Sequence, residues 1–306
     1  MINVRVCLRI LVVLFTSQAA LAAPLEVQVT ILNEDRLPRL SKLQVGEVLR
    51  VAQRMLLRGC ERDVRFRVEQ EQPLRAFLDG ERRRIAPYAV RKDRYIDIFR
   101  IDEIELEALA LKGCEQYGTV EQLRTLVEPA EREAIESHAD AARLLVRKYG
   151  ARIGNVRRLN DVTGRPLVTP EDWQDVSLAH WEAYFASRPW GETRRLYLAN
   201  TVIVDDLRAV APHSMITGIA NGVAYPAVNA AIVAYHPIFS DDESIRTHRF
   251  GKLTEDERLA VIAYVIAHEI GAHLVRQERD DYRDGAVLAR PIAAISDRRD
   301  VLGYEE

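Results

Sequence analysis

The run Leu259 to Val275, LAVIAYVIAHEIGAHLV, constrains this chain more than any other stretch. Leu259 to Ala267 are all apolar, and the ionisable residues of the run are His268, Glu269 and His273. So long an apolar run with no polar face predicts a helix buried on all sides. Thr254 and Glu257 form an S/T-x-x-E capping box directly ahead of it, which places the helix start. Burying an ionisable group without a partner costs several kcal/mol or shifts its pKa. Two imidazoles on a divalent metal, with a carboxylate beside it, would supply the missing partners. A structural His-Glu-His set satisfied inside the core is the plainer alternative.

The spacing is H-E-x-x-x-H, one residue longer than H-E-x-x-H. At ~100° per residue, an i,i+4 pair lies within ~40° on one helix face, whereas an i,i+5 pair is splayed by ~140°. A single π-helical turn absorbs one extra residue, and such turns are frequent at functional sites. Gly271-Ala272 is the expected place for it, because glycine weakens the regular ladder and neither residue adds bulk.

VIAHEIGAHLV resembles the active-site helix of zinc metallopeptidases of the zincin group, particularly metzincin-like enzymes, with Ala272 as the inserted residue. The longer spacing is also similar to that of the dipeptidyl peptidase III family. The resemblance implies Zn²⁺ held by His268 and His273. It also implies peptide-bond hydrolysis by a zinc-activated water, with Glu269 as general base. After His273 the chain departs from the metzincin pattern. Arg276 and Arg279 stand where a glycine and a third ligand are expected, and no methionine follows Met215 to make a methionine turn. Asp280 is the chosen third ligand, with Glu278 and Asp284 in reserve and Asp297, Asp300, Glu305 and Glu306 in the tail. A straight helix would carry Asp280 ~10 Å along the axis from His273, so this choice requires a break after about Gln277. Residues 291–295 are expected to take the place of the methionine turn as the floor of the site.

Residues 1–22 carry Arg5, Arg9, the apolar stretch Ile10 to Phe15 and the A-x-A-like site Ala20-Leu21-Ala22. This is a secretory signal peptide pattern, with an uncleaved anchor as the alternative. The expected protein is exported, periplasmic or secreted, with no stable membrane span once the leader is removed. Loss of the segment takes the formal charge from −3 to −5, which gives nucleic acid no electrostatic footing as a partner. The implied partner is a peptide or protein substrate, and the oligomeric state is left open. Cys60 and Cys114 remain after export, and an even pair in an oxidising compartment predicts a disulfide, against two unbridged buried thiols. Neither belongs to a C-x-x-C pair.

The expected fold is α+β and zincin-like, a mixed twisted sheet with the buried active-site helix and a mostly helical insertion. It occupies residues 23–306, with the insertion at about 74–190. Leu25 to Leu32 alternates as a strand, a helix starts at Ser41 and stops near Gly59, and Asp63 to Glu69 alternates again. That unit resembles the opening of a zincin subdomain. Within the insertion, Tyr95 to Phe99 reads as a short strand, residues 101–150 as helical, and Thr169-Pro170 as a helix start. Arg82-Arg83-Arg84 reads as a solvated face, and Trp173, Trp181 and Trp190 as packing residues. Strands return at Arg195 to Asp205. Thr217 to Tyr235 resembles the loop and edge strand ahead of the metzincin helix, with Ala230 to Tyr235 as the edge that pairs with peptide. His138 reads as a surface residue, and His213, His236 and His248 as structural or surface residues. A non-catalytic zincin-fold binding or assembly protein is the alternative function, and a metal carrier or sensor is a third.

Overall fold

The computed structural model describes residues 24–85, 102–125, 127, 129–157, 160, 163–166, 178–187, 191–203, 221–240, 250–271 and 301. The leader, the Tyr95 to Phe99 strand, the Thr169-Pro170 helix start, Trp173, Trp190, His213, His248, His273, Asp280 and the other candidate acids lie outside them.

The chain opens with strand β1 (Leu25–Asn33), helix α1 (Lys42–Cys60) and strand β2 (Val64–Pro73). β1 and β2 pair in parallel, as a strand-helix-strand crossover requires. Ser41 caps α1 reciprocally with Gln44. The helix runs through Gly59 to Cys60, and Glu61 takes the left-handed turn at φ 53° in place of the expected glycine stop. Next come α2 (Leu74–Ile85), α3 (Glu103–Tyr117), α4 (Val120–Arg124), a 3-10 turn (Pro129–Ala134), α5 (His138–Arg157) and α6 (Leu178–Ala186). The described part of the insertion is thus helical, apart from turns and one isolated bridge between Asn160 and Pro166.

Strand β3 (Arg194–Ala199), strand β4 (Gly222–Tyr225), a 3-10 turn (Pro226–Val228) and strand β5 (Ala230–Ala234) follow. A short helix α7 (His236–Phe239) leads to α8 (Glu255–His268). The five strands form one mixed sheet in the order β2-β1-β3-β5-β4, parallel except for β4, which runs antiparallel to β5. The expectation that Ala230 to Tyr235 forms the sheet edge is therefore corrected. β5 lies between β3 and β4, and all five of its residues are buried. An unbroken apolar strand is what burial on both faces demands. Among the described residues the edge on that side is Gly222–Tyr225, and Pro226 starts the turn that follows it.

The period of two sorts side chains onto two cores. Val27, Val29 and Ile31 of β1, Leu196 and Leu198 of β3, and Ala231 and Val233 of β5 face one core with α1 and α8. Leu32, Tyr197, Ala199, Ala230, Ile232 and Ala234 face the other with α2 and α6, where Trp181, Tyr184, Phe185 and Phe77 interlock. Trp181 is thus a packing residue, as expected. Asn200, fully buried just past β3, ties down the loop between β1 and α1. Its side-chain oxygen accepts from Glu34 N–H, and its nitrogen donates toward the carbonyls of Glu34, Leu37 and Pro38. Tyr235 Oη accepts from Leu40 N–H in the same loop.

The expected disulfide is corrected as well. Cys60 and Cys114 are not bridged. Cys60 closes α1 beside the sheet, whereas Cys114 is fully buried in α3, a helix that packs on α5. No helix among the described residues is long and apolar enough to cross a membrane.

Candidate metal centre

α8 begins where its capping box predicts. Thr254 accepts from Glu257 N–H, and the Glu257 carboxylate accepts from Thr254 N–H at 2.8 Å. Glu255, Asp256 and Glu257 in the first turn complement the positive helix end. Arg258 donates to the Phe239 carbonyl at 2.8 Å and lies over that ring, which joins α8 to α7. From Leu259 to His268 every residue is buried. The helix is buried in the core that it shares with α1 on one face of the sheet. Gln44 reaches Glu255 at one end, and Gly271 meets Leu56 and Cys60 at the other, so α1 and α8 run side by side in the same direction.

Immediately after His268 the backbone widens into a π-helical turn at Glu269-Ile270-Gly271. The longer spacing leads one to expect a turn of this kind at Gly271-Ala272. The described part of the turn includes Gly271, and Ala272 is outside the described residues. Gly271 serves the turn by its size. A Cβ there would lie 3.0 Å from Cys60 Sγ and 3.1 Å from Leu56 Cδ2.

His268 is 8% exposed and Glu269 6%. Burial pushes the Glu269 carboxyl up to about 8, because desolvation disfavours its charged form. The carboxyl is protonated at neutral pH, and an adjacent cation would return it to the charged form. The group lies against Gly222, the first residue of β4 and the partner of Val233 in β5. The structure therefore brings Glu269 together with the head of the antiparallel edge strand.

His273 and Asp280, the other two expected site residues, lie outside the described residues. Among the described residues no group of three or more His, Cys, Asp or Glu side chains converges as a metal site, so His268 and Glu269 are the described members of the motif. The remaining described histidines sit elsewhere. His138 bonds the Gly118 carbonyl at 2.7 Å and so links the start of α5 to the end of α3. His236 is buried at the start of α7. His180, which the sequence did not single out, is pulled down to about 4 by burial and, secondarily, by the Arg82 charge. Sequence reasoning gave Gly222 no task, and it missed Asn200. A lone polar residue at the end of an apolar strand was the available signal for Asn200.

No family model matches the chain, and neither a curated protein nor a solved structure matches it.

Proposed function

We propose that the protein is an exported, zincin-like zinc metallopeptidase. One observation carries the reading: a buried imidazole and a buried carboxyl stand next to each other where a capped, fully buried helix widens, and the carboxyl meets the head of an antiparallel edge strand. A cation suits this chemistry. It would offset the burial that holds Glu269 protonated, and His268 is a donor such a cation takes. His268 and His273 hold the zinc in this reading, and Asp280 completes the protein ligands. Zinc bound there would supply a Lewis acid able to lower the pKa of a water. Glu269 accepts the proton of the attacking water and returns it to the leaving amine. The peptide extends along the outer side of β4, the end of the sheet among the described residues.

The alternative, a non-catalytic binding or assembly protein, draws on the same carboxyl. A neutral, buried Glu269 is compatible with a metal-free core. Metal content separates the two readings. Elemental mass spectrometry of the mature chain is expected to give about one zinc per chain, lost in His268→Ala and in His273→Ala. A peptide library is then expected to be cleaved by the wild type and left intact by Glu269→Gln. A wild type that stays metal-free after incubation with zinc ends the peptidase reading and leaves the binding protein.

A further inference from the structure

We infer that Gly222 is a positioning residue that sets where the Glu269 carboxylate stands. Its catalytic consequence rests on the peptidase reading, while the contact itself does not.

A Cβ on Gly222 would lie 2.7 Å from Glu269 Cγ and Oε1 and 2.9 Å from Cδ, closer than real Cβ atoms come to such neighbours. The glycine is not needed for its backbone. The described glycines with positive φ are Gly118, Gly164 and Gly251, so Gly222 occupies ordinary strand geometry that any residue adopts. What its position requires is the missing side chain. Pleating puts Gly222 on the same sheet face as Ala224, which packs against the core holding α8, while Val223 and Tyr225 turn to the opposite core. The hydrogen at Gly222 therefore faces the helix, and the carboxylate occupies the space a methyl group would take.

Nor can the helix withdraw. Two residues on, Gly271 stands close to α1, where an added Cβ would lie 3.0 Å from Cys60 Sγ and 3.1 Å from Leu56 Cδ2. Leu259 to Ile270 are buried without a break, and the Thr254 cap fixes the other end. The π-helical turn is thus held between two close approaches, one through Gly222 and one through Gly271. Within that clamp the position of Glu269 follows from the position of the β4 backbone. A peptide lying on β4 would then be in register with the base by construction, because one strand residue touches both.

A double-mutant cycle tests the contact without reference to activity. Gly222→Ala is expected to lower Tm in the wild-type background and to leave Tm unchanged in Glu269→Ala, where the colliding atoms are gone. Should Gly222→Ala alone fail to fold, recovery of folded protein in the double variant is the same coupling. An equal Tm loss in both backgrounds, or none in either, overturns the inference. Kinetics test the positioning role. Gly222→Ala is expected to keep its zinc and its KM while kcat falls about a hundredfold, the scale of a 1 Å misplacement. Gly222→Ala/Glu269→Asp, with a shorter acid, is expected to recover part of that loss. Unchanged kcat alongside Tm coupling would reduce Gly222 to packing and overturn the role. A wild type with neither zinc nor hydrolysis ends the peptidase reading instead, and the Tm cycle then decides the contact alone.

Discussion

A carboxyl whose pKa burial has pushed up to about 8 leaves its mark on stability as well as on chemistry. The folded pKa lies above the ordinary value of 4.5, so the folded state holds the proton more tightly than the unfolded chain does. That contribution is full below about pH 4.5 and is lost as pH rises through about 8. Tm of the metal-free protein is expected to fall across this window, and Glu269→Gln is expected to remove much of the fall. An identical pH slope in wild type and variant would show that another group sets it. The two cysteines give a second test at this scale. Burial, with Glu115 adding to it, pushes the Cys114 thiol up to about 11, whereas Cys60 is half-buried. Alkylation of the native mature chain is expected to label Cys60 alone, and both thiols after denaturation without reductant. No label without reductant would restore the disulfide. Cysteine number and compartment could not decide this, because a bridge depends on which elements come together, and α3 packs on α5.

At the scale of single elements, most of what was legible lay in local chemistry. Ser41 and Thr254 each announce a helix through a capping box that closes within four residues, and the structure has both. Thr254→Ala is expected to lower unfolding stability by about 1 kcal/mol, read from denaturant midpoints. Asn200→Ala should do more, about 1–3 kcal/mol, because it strands several buried groups of the loop between β1 and α1. β1 and β2 were legible from alternation. β5 was misplaced because AAIVA says only that both its faces are buried, and the resemblance assigned it to an edge. Its neighbour GVAY, the edge on that side among the described residues, is only four residues long with intermediate burial throughout, and so gives a weak periodic signal. The H-E-x-x-x-H spacing did point to a widened helix, and a π-helical turn stands at Glu269 to Gly271. Asp280, chosen as third ligand, lies outside the described residues, and no local pattern in Arg276 to Asp284 singles it out.

In the molecule as a whole, one sheet separates two cores with different duties. The core of α1 and α8 holds the candidate site, while the core of α2 and α6 is built around Trp181, Tyr184 and Phe185. Trp181→Ala is expected to cost about 3–5 kcal/mol of stability yet leave zinc content unchanged well below Tm. Ile262→Ala, in the core on the other face of the sheet, is expected to cost about 2–5 kcal/mol and to lower zinc content as well. Equal effects of both on zinc would mean that the sheet does not insulate one core from the other. The sheet order also has a consequence in time. β1 lies between β2 and β3, and Val27 pairs with Arg194 across more than half the chain. A chain emerging N-terminus first presents β1, α1 and β2 long before β3 exists. During that interval one side of β1 shows bare backbone, and the surface of α1 that will receive α8 is uncovered. Closing so long a loop puts the protein among slow folders, with a rate set by the search for β3 rather than by its helices. Its yield on refolding should therefore drop as concentration rises, since a neighbouring chain can reach that waiting strand first.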